Sequence, residues 1–311
     1  MYNQEIKGRY IQEKNSTTIL PNGYLNNLFK KTEQFEQKYN KDVSTFTYYE
    51  IIEMYKTWNA NSVEILIVAN SQLSLYAQWC STQSLVKDGQ NHFLECVKNN
   101  LVGCVNTIMI KKKFLNKTQL IKIGEMIPNA SDEFMLLALY EGICGKDYCE
   151  LVNLKMSDFE ENMVTLCTGR TIQVSSRLVD LAKLAYDTYE YFPVTSDPRS
   201  EKITLRRDDD KIIKDFPNSD DGVDDFQKGR RIYRRIRRNL DFIGMPWLSG
   251  KDIVESGRVE FIKTNAEKDQ KNAIEYIFTE QCINKVEEQF GDVFSRIKQM
   301  KTVDRYKEYL V

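Results

Sequence analysis

Residues 228–240 read KGRRIYRRIRRNL, and seven basic side chains fall within the eleven positions from Lys228 to Arg238. The chain as a whole carries a formal net charge of −1, so this segment holds a concentrated cation that the overall balance hides. Guanidinium groups stay charged at any physiological pH and present a fork of donors that matches phosphate oxygens. Ile232, Ile236 and Leu240 recur at i, i+4 and i+8, which places them on one helical face. The pattern predicts a helix seated on a core by a thin apolar stripe. Lys228, Arg230, Arg231, Arg234, Arg235, Arg237 and Arg238 would spread over the rest and face outward. Such a surface suits a nucleic-acid backbone. The plainer reading is a solvated face paired with local acids. Directly upstream, Asp208 to Asp225 holds eight aspartates against two lysines, a local charge of −6. This stretch reads either as a solubilising loop or as a segment that folds over the arginine helix and competes with phosphate.

A chain of 311 residues has room for one or two domains, each with a real core. Proline and glycine are scarce, at 6 and 14, and amphipathic runs are long, so the expected class is mostly helical. Residues 1–110 read as a helical domain after a polar start. One helix carries Leu25, Phe29 and Phe35, and a second, capped at Thr45 or Thr47, carries Ile51, Ile52 and Tyr55. A third runs from Ser62 to Trp79 with Val63, Ile67, Leu73 and Tyr76 facing inward, and a shorter one lies near Phe93 to Val97. Residues 105–116 read as a linker carrying Lys111, Lys112 and Lys113. The second domain, 111–311, opens with helices near Leu120–Ile127, from Ser131 to the Gly142 break, and near Tyr148–Leu154. NMVTLCTGRTIQVS is the clear β signal, two β-rich runs around Thr168-Gly169-Arg170. Ser176 caps a long helix to about Tyr191, 193–225 is the least ordered stretch, and further helices follow the arginine segment.

Several classes are set aside by composition. The longest apolar run, Val63 to Ala69, is too short to span a bilayer, and no signal peptide is expected. Seven cysteines form no CxxC pair, so no metal and no cofactor is expected, and reduced thiols fit a bacterial cytoplasm.

The order of elements resembles the tyrosine recombinase (phage integrase) family over most of the chain. GKDYCELVNLKMSDF, residues 145–159, is similar to the family pattern G-L-R-x-x-E-L-x-x-L-x-W-x-D, with Gly145, Glu150, Leu151, Leu154 and Asp158 in place. The resemblance implies a two-domain clamp: a helical core-binding domain and a catalytic-like α+β domain. It also implies where chemistry would sit, and those positions are altered. The first arginine position holds Asp147. The hairpin lysine position holds Thr168 or, past the glycine, Arg170. The segment that carries the second arginine corresponds to KDIVES, with Lys251, Val254 and Glu255 at its polar positions, and a later histidine position holds Asp292. The single histidine, His92, lies in the first domain, where an ordinary surface or interdomain role is expected. Tyr306 is the best match to the nucleophile position, 14 residues after Asp292, a longer spacing than the family's; the alternative is a tyrosine that packs a terminal helix.

The resemblance therefore implies a catalytically altered scaffold that grips double-stranded DNA. DNA grip is assigned first to the arginine helix, then to Arg170 on a turn that approaches DNA in the family, then to the linker lysines. Lys30, Lys31 and the polar face around Asn70 and Gln72 form a lesser set. The expected function is a sequence-specific transcriptional regulator, a phage or prophage repressor maintaining lysogeny by binding operators. A regulatory protein partner or self-association is allowed for. A recombinase with an atypical active site and an architectural accessory factor are the competing readings.

Overall fold

The computed structural model describes residues 1–15, 23–60, 62–85, 90–106, 108, 111–194, 201–207, 210–217 and 223–311. These form two compact units, Met1–Ile110 and Lys111–Val311.

The first unit is helical: α1 (Gln4–Asn15), α2 (Tyr24–Tyr39), α3 (Tyr48–Thr57), α4 (Val63–Thr82) and the short α5 (Lys98–Val102). Leu25, Leu28, Phe29 and Phe35 of α2 are buried at helical spacing. The carboxylate of Glu50 accepts the Thr47 backbone N–H at 2.7 Å and so fixes the start of α3. Along α4 the inward set is Leu66, Ala69, Leu73, Tyr76 and Ala77. Ile67, expected inward, is exposed, because a stripe that runs through Leu66 and Ala69 turns residue 67 outward. The α1 helix was not expected at all. It contributes Tyr10 and Ile11 to the core and buries Lys7, whose ammonium meets both Glu36 oxygens at 2.5 Å. Burial raises the Glu36 carboxyl above its ordinary range even against the pull of Lys7.

The second unit is built around α7 (Ala130–Tyr140), where Phe134 to Tyr140 are all buried. Against it lie α6 (Lys117–Glu125), α9 (Ser176–Asp187), α10 (Asp225–Phe242) and α11 (Gly250–Lys268). Gly257 of α11 sits so close to the Tyr140 carbonyl that a Cβ there would come within 1.8 Å of its oxygen. The short α8 (Cys149–Asn153) leads into a three-stranded antiparallel sheet, β1 (Phe159–Glu160), β2 (Met163–Thr165) and β3 (Thr171–Gln173), in that order. Val164 pairs with Ile172, and both are buried, while their neighbours along each strand point to solvent. Gly169 turns the hairpin at φ 84°, a conformation that side chains resist. Ser175, rather than Ser176, caps α9, which ends at Asp187. A second small sheet pairs β4 (Glu190–Tyr191) antiparallel with β5 (Ile203–Thr204); β4 replaces the end of the helix expected to reach Tyr191, and β5 lies within 193–225, read as the least ordered stretch. Then α12 (Ala273–Tyr276), α13 (Glu280–Phe290) and α14 (Arg296–Leu310) pack with the outer part of α11 in a separate cluster including Val259, Ile262, Val286 and Phe294. No helix among the described residues is long and apolar enough to cross a membrane.

Candidate nucleic-acid interface

The arginine helix α10 starts at Asp224, whose side chain accepts the Gln227 backbone N–H at 2.8 Å. Its first turns press on the loop at 145–148. A Cβ on Gly229 would lie 1.8 Å from the Asp147 carbonyl oxygen, so only glycine permits this approach. Asp147 itself is exposed and left-handed, with φ 54°. Ile232, Ile236 and Leu240 are buried, as the spacing predicted. On the opposite face Arg230, Arg234 and Arg238 are exposed, one turn apart. Among the described residues their side chains make no ion pair or hydrogen bond; Arg230 lies 6.0 Å from the Phe226 ring centroid. On the flanks, Arg231 is 3.5 Å from Asp215, and Arg237 reaches the Leu248 carbonyl at 3.2 Å and Asp241 at 3.3 Å. Lys228 is half-buried at the edge of the same surface.

Arg235 does not face outward, contrary to the sequence reading. Its side chain is buried, donating to Asp132 at 2.9 Å and to the Ser131 hydroxyl at 2.8 Å, and its guanidinium lies 4.7 Å from the Tyr191 ring centroid. Helical geometry explains this. Position 235 is only about 60° around the helix from Ile232, inside the edge of the core-facing sector. Burial pushes the Tyr191 hydroxyl up to about 12, Asp132 adds to that, and Arg235 opposes it.

Arg170 is likewise withdrawn from solvent. It grips the buried Glu150 carboxylate with two donors, Nε to Oε1 at 3.0 Å and Nη2 to Oε2 at 2.7 Å. Its other donors reach the carbonyls of Glu288 at 2.8 Å and Gly142 at 3.1 Å. Thr168 donates to Glu150 at 2.7 Å, and the Cys144 backbone N–H does so at 2.9 Å. Gly291 leaves room for this brace, since a Cβ there would meet Arg170 Nε at 2.5 Å. Arg170 therefore ties the hairpin turn to α8 and α13 instead of offering its fork to a phosphate.

Two of the remaining recombinase-like positions, Glu255 and Asp292, meet at an arginine that sequence reading missed. Arg258 of α11 is 1 % exposed. It donates to Glu255 at 2.5 Å and with one nitrogen to both Asp292 oxygens, at 2.9 and 3.1 Å. Phe290 and Phe294 lie against the same guanidinium, at 5.1 and 5.9 Å. Lys298 adds a second cation on Asp292. Arg258 lies one turn beyond Val254 and Glu255, and the i+3 pairing of Glu255 with Arg258 is the signal that spacing offered. Val254 is half-buried and packs on apolar neighbours, and Lys251 is exposed. Tyr306 is 1 % exposed, its ring centroid 5.9 Å from that of Phe114, and burial pushes its hydroxyl up to about 12 despite the nearby Arg305. It packs the terminal helix, the alternative raised from its spacing.

The linker lysines divide. Lys111 pairs with Glu308 at 2.8 Å, and half-buried Lys113 lies 3.6 Å from Asp252. Lys112 is exposed, 6.0 Å from the Trp247 ring centroid. Lys30 and Lys31 are exposed on α2. Asn70 is an internal bracket, accepting from Tyr55 at 3.1 Å and donating to the Phe93 carbonyl at 2.9 Å, so it does not belong to a polar face. His92 is a partly exposed residue bonded to Glu95 at 2.7 Å. Of the acidic stretch, 208–209 and 218–222 lie outside the described residues. Asp210 pairs with Lys155 at 2.7 Å, Asp215 with Arg231, and Asp225 accepts from Asn153 at 2.9 Å.

The chain thus has a helical first unit and a second unit in which a hairpin sheet is framed by helices. Residues 114–309 match the family described as MrpR, C-terminal catalytic domain, and residues 1–82 match MrpR, N-terminal core-binding domain. The chain belongs to the MrpR family. It is 24 % identical over 270 residues to the SPbeta prophage-derived uncharacterized protein YopR of Bacillus subtilis (strain 168), covering 83 % of this chain and 81 % of that one. Two solved structures are similar along nearly the whole length. XerA recombinase is 14 % identical with a TM-score of 0.40, covering 98 % of both chains. A lambda integrase(75-356) dimer bound to a COC' core site is 11 % identical with a TM-score of 0.41, covering 98 % of this chain and 96 % of that one.

Proposed function

We propose that this protein is a sequence-specific DNA-binding regulator, a repressor of an SPβ-type prophage, built on a recombinase scaffold that does not cut DNA. It would work in the bacterial cytoplasm, on operator DNA at the nucleoid, and maintain lysogeny. The observation that carries the reading is a contrast in arginine placement. Arg230, Arg234 and Arg238 stand exposed without a carboxylate partner among the described residues, whereas Arg258 and Arg170, near the recombinase-like positions, are consumed by Glu255, Asp292 and Glu150. Transfer of a phosphodiester needs preorganised donors where negative charge develops. Here the nearby cations Arg258 and Lys298 are already engaged by Glu255 and Asp292, and the first arginine position holds the carboxylate Asp147. Backbone grip needs only an outward cationic surface and a second clamp half, for which the 1–110 unit serves. Similarity to a prophage-derived protein supports the phage context.

The test combines footprinting on phage DNA with suicide substrates that carry the protected sequence. Discrete protected sites with no covalent adduct are expected. A tyrosine-linked adduct that vanishes in Tyr306→Phe would establish the recombinase reading instead. Protection without sequence preference, together with DNA bending, would establish the accessory-factor reading.

A further inference from the structure

The second unit contains a cavity of about 390 Å³ that the DNA-binding reading does not use. It lies among the ends of α7 and β3, the middle of α11 and the C-terminus of α13, and Tyr140, Glu260, Phe261, Lys268 and Phe290 are among its lining. Tyr140 is 4 % exposed, yet its hydroxyl has no hydrogen-bond partner among the described residues. A buried hydroxyl without a partner loses its hydration with nothing in return, so such groups call for an explanation. Glu260 is half-buried on the same wall, and no ion pair or hydrogen bond engages its carboxylate among the described residues. It is near enough to act electrostatically on the Tyr140 hydroxyl. The other acid, Glu141, is already satisfied by Lys117 at 2.9 Å and by the Ser175 backbone and hydroxyl. Lys268, the remaining cation, is exposed at the rim. Phe261 and Phe290 supply aromatic surface, 5.8 Å apart edge to face.

A free carboxylate and an acceptor hydroxyl, backed by two aromatic rings, fit one kind of guest. We propose that this cavity binds a cationic nitrogen, ammonium or guanidinium, carried on a short apolar stem. Glu260 takes the charge, the Tyr140 oxygen accepts one N–H, and the stem lies along Phe261 and Phe290. An anionic or hydroxyl end of the guest meets Lys268 at the mouth. The same Phe290 ring underlies the Arg258 guanidinium, so the guest would rest one side chain away from the Glu255–Arg258–Asp292 cluster. A free amine and the basic side chain of a peptide share this chemistry.

Calorimetric titration of the full chain tests it with n-butylguanidine, and with n-butylurea as a neutral isostere. Saturable one-site binding is expected for the guanidine, and binding at least about tenfold weaker for the urea, or about 1.4 kcal/mol. Glu260→Gln should lose a similar factor, and Tyr140→Phe a severalfold one. Neither should lower the thermal midpoint, because neither group has a partner among the described residues to lose. Glu267→Gln, an exposed acid of the same helix outside the cavity, should bind as the parent does. Agmatine and N-acetyl-arginine methylamide then separate the two sources, the tighter of them naming the natural one. Equal binding of the urea and the guanidine, or undiminished binding by Glu260→Gln, would overturn the proposal. So would the absence of saturation at millimolar guanidine.

Discussion

The outer face of α10 and the recombinase-like centre both depend on arginine, and they use it in opposite ways. Arg230, Arg234 and Arg238 project from a helix whose opposite side is apolar, and no carboxylate among the described residues engages them. Arg170, Arg235 and Arg258 are each enclosed, and each meets at least one carboxylate at 2.9 Å or less. The difference lies in the neighbours that the fold delivers, since the side chain is the same. A solvated guanidinium keeps its charge available for an incoming anion. An enclosed one has already committed that charge to holding two elements together, and it can leave only at the cost of a buried, unpaired acid.

Neighbouring positions on α10 give the sharpest way to break this comparison. Arg235→Ala strands Asp132, which is fully buried, and should cost about 3–5 kcal/mol in equilibrium urea unfolding. Arg234→Ala, one residue away, should stay within about 0.5 kcal/mol of the parent. Similar destabilisation of both variants would mean that the inward and outward arginines have been wrongly sorted.

The next largest effect belongs to DNA. The triple variant Arg230→Ala, Arg234→Ala, Arg238→Ala should remain folded and bind duplex DNA weakly. Its log–log salt slope should shrink by about 0.9 for every phosphate that the variant no longer neutralises. Affinity measured across a salt series, beside the unfolding curve of the same variant, separates a weakened interface from a damaged fold. An unchanged slope in the folded triple variant would remove this face from the interface.

Much of this contrast was legible in the sequence, but only the half that is local. The stripe Ile232, Ile236, Leu240 gave the helix and its seating, because periodicity is a property of neighbours along the chain. The hairpin was legible for the same reason, from β-rich runs around Gly169. Arg235 and Arg170 were misread because their partners are remote: Asp132 lies 103 positions from Arg235, and Glu150 lies 20 from Arg170. Charge composition alone cannot pair residues across such gaps. The α1 helix escaped notice because QEIKGRYIQEKN shows little apolar stripe, and its inward Lys7 is tolerated only through Glu36, 29 positions away. The positions Asp147, Val254, Glu255 and Asp292 were singled out by resemblance alone. That Glu255 and Asp292 converge on Arg258 was not legible, since the second acid arrives from 34 positions downstream.

Returning a cation to the centre tests the proposal that the protein does not cut DNA. Asp147→Arg places a guanidinium on an exposed, left-handed residue beside α10. It should raise DNA affinity and steepen the salt slope by about 0.9 if it finds one phosphate. It should not yield a covalent adduct on a suicide substrate, because catalytic groups that act as a unit are strongly non-additive. Cleavage by this single variant would show that the catalytic register has been placed wrongly.

The smallest expected effect concerns the border between the two behaviours, where Arg231 is neither free nor enclosed. It lies 3.5 Å from Asp215, and both side chains are partly exposed, at 34 % and 27 %. A pair so placed is worth about 0–1 kcal/mol, and salt screens it. Asp215→Asn should therefore change the thermal midpoint little while removing one negative charge from beside the face that carries Arg230 and Arg234. Affinity for random duplex DNA should rise by a few fold at low salt, and the gain should fade as the Debye length shrinks to about 3 Å at 1 M. Operator affinity should rise less, because discrimination depends on base contacts that one more neutralised phosphate does not supply. If operator and random DNA gain equally, Asp215 does not guard specificity. If neither gains, Arg231 belongs with the enclosed arginines and the free surface is confined to the line through Arg230, Arg234 and Arg238.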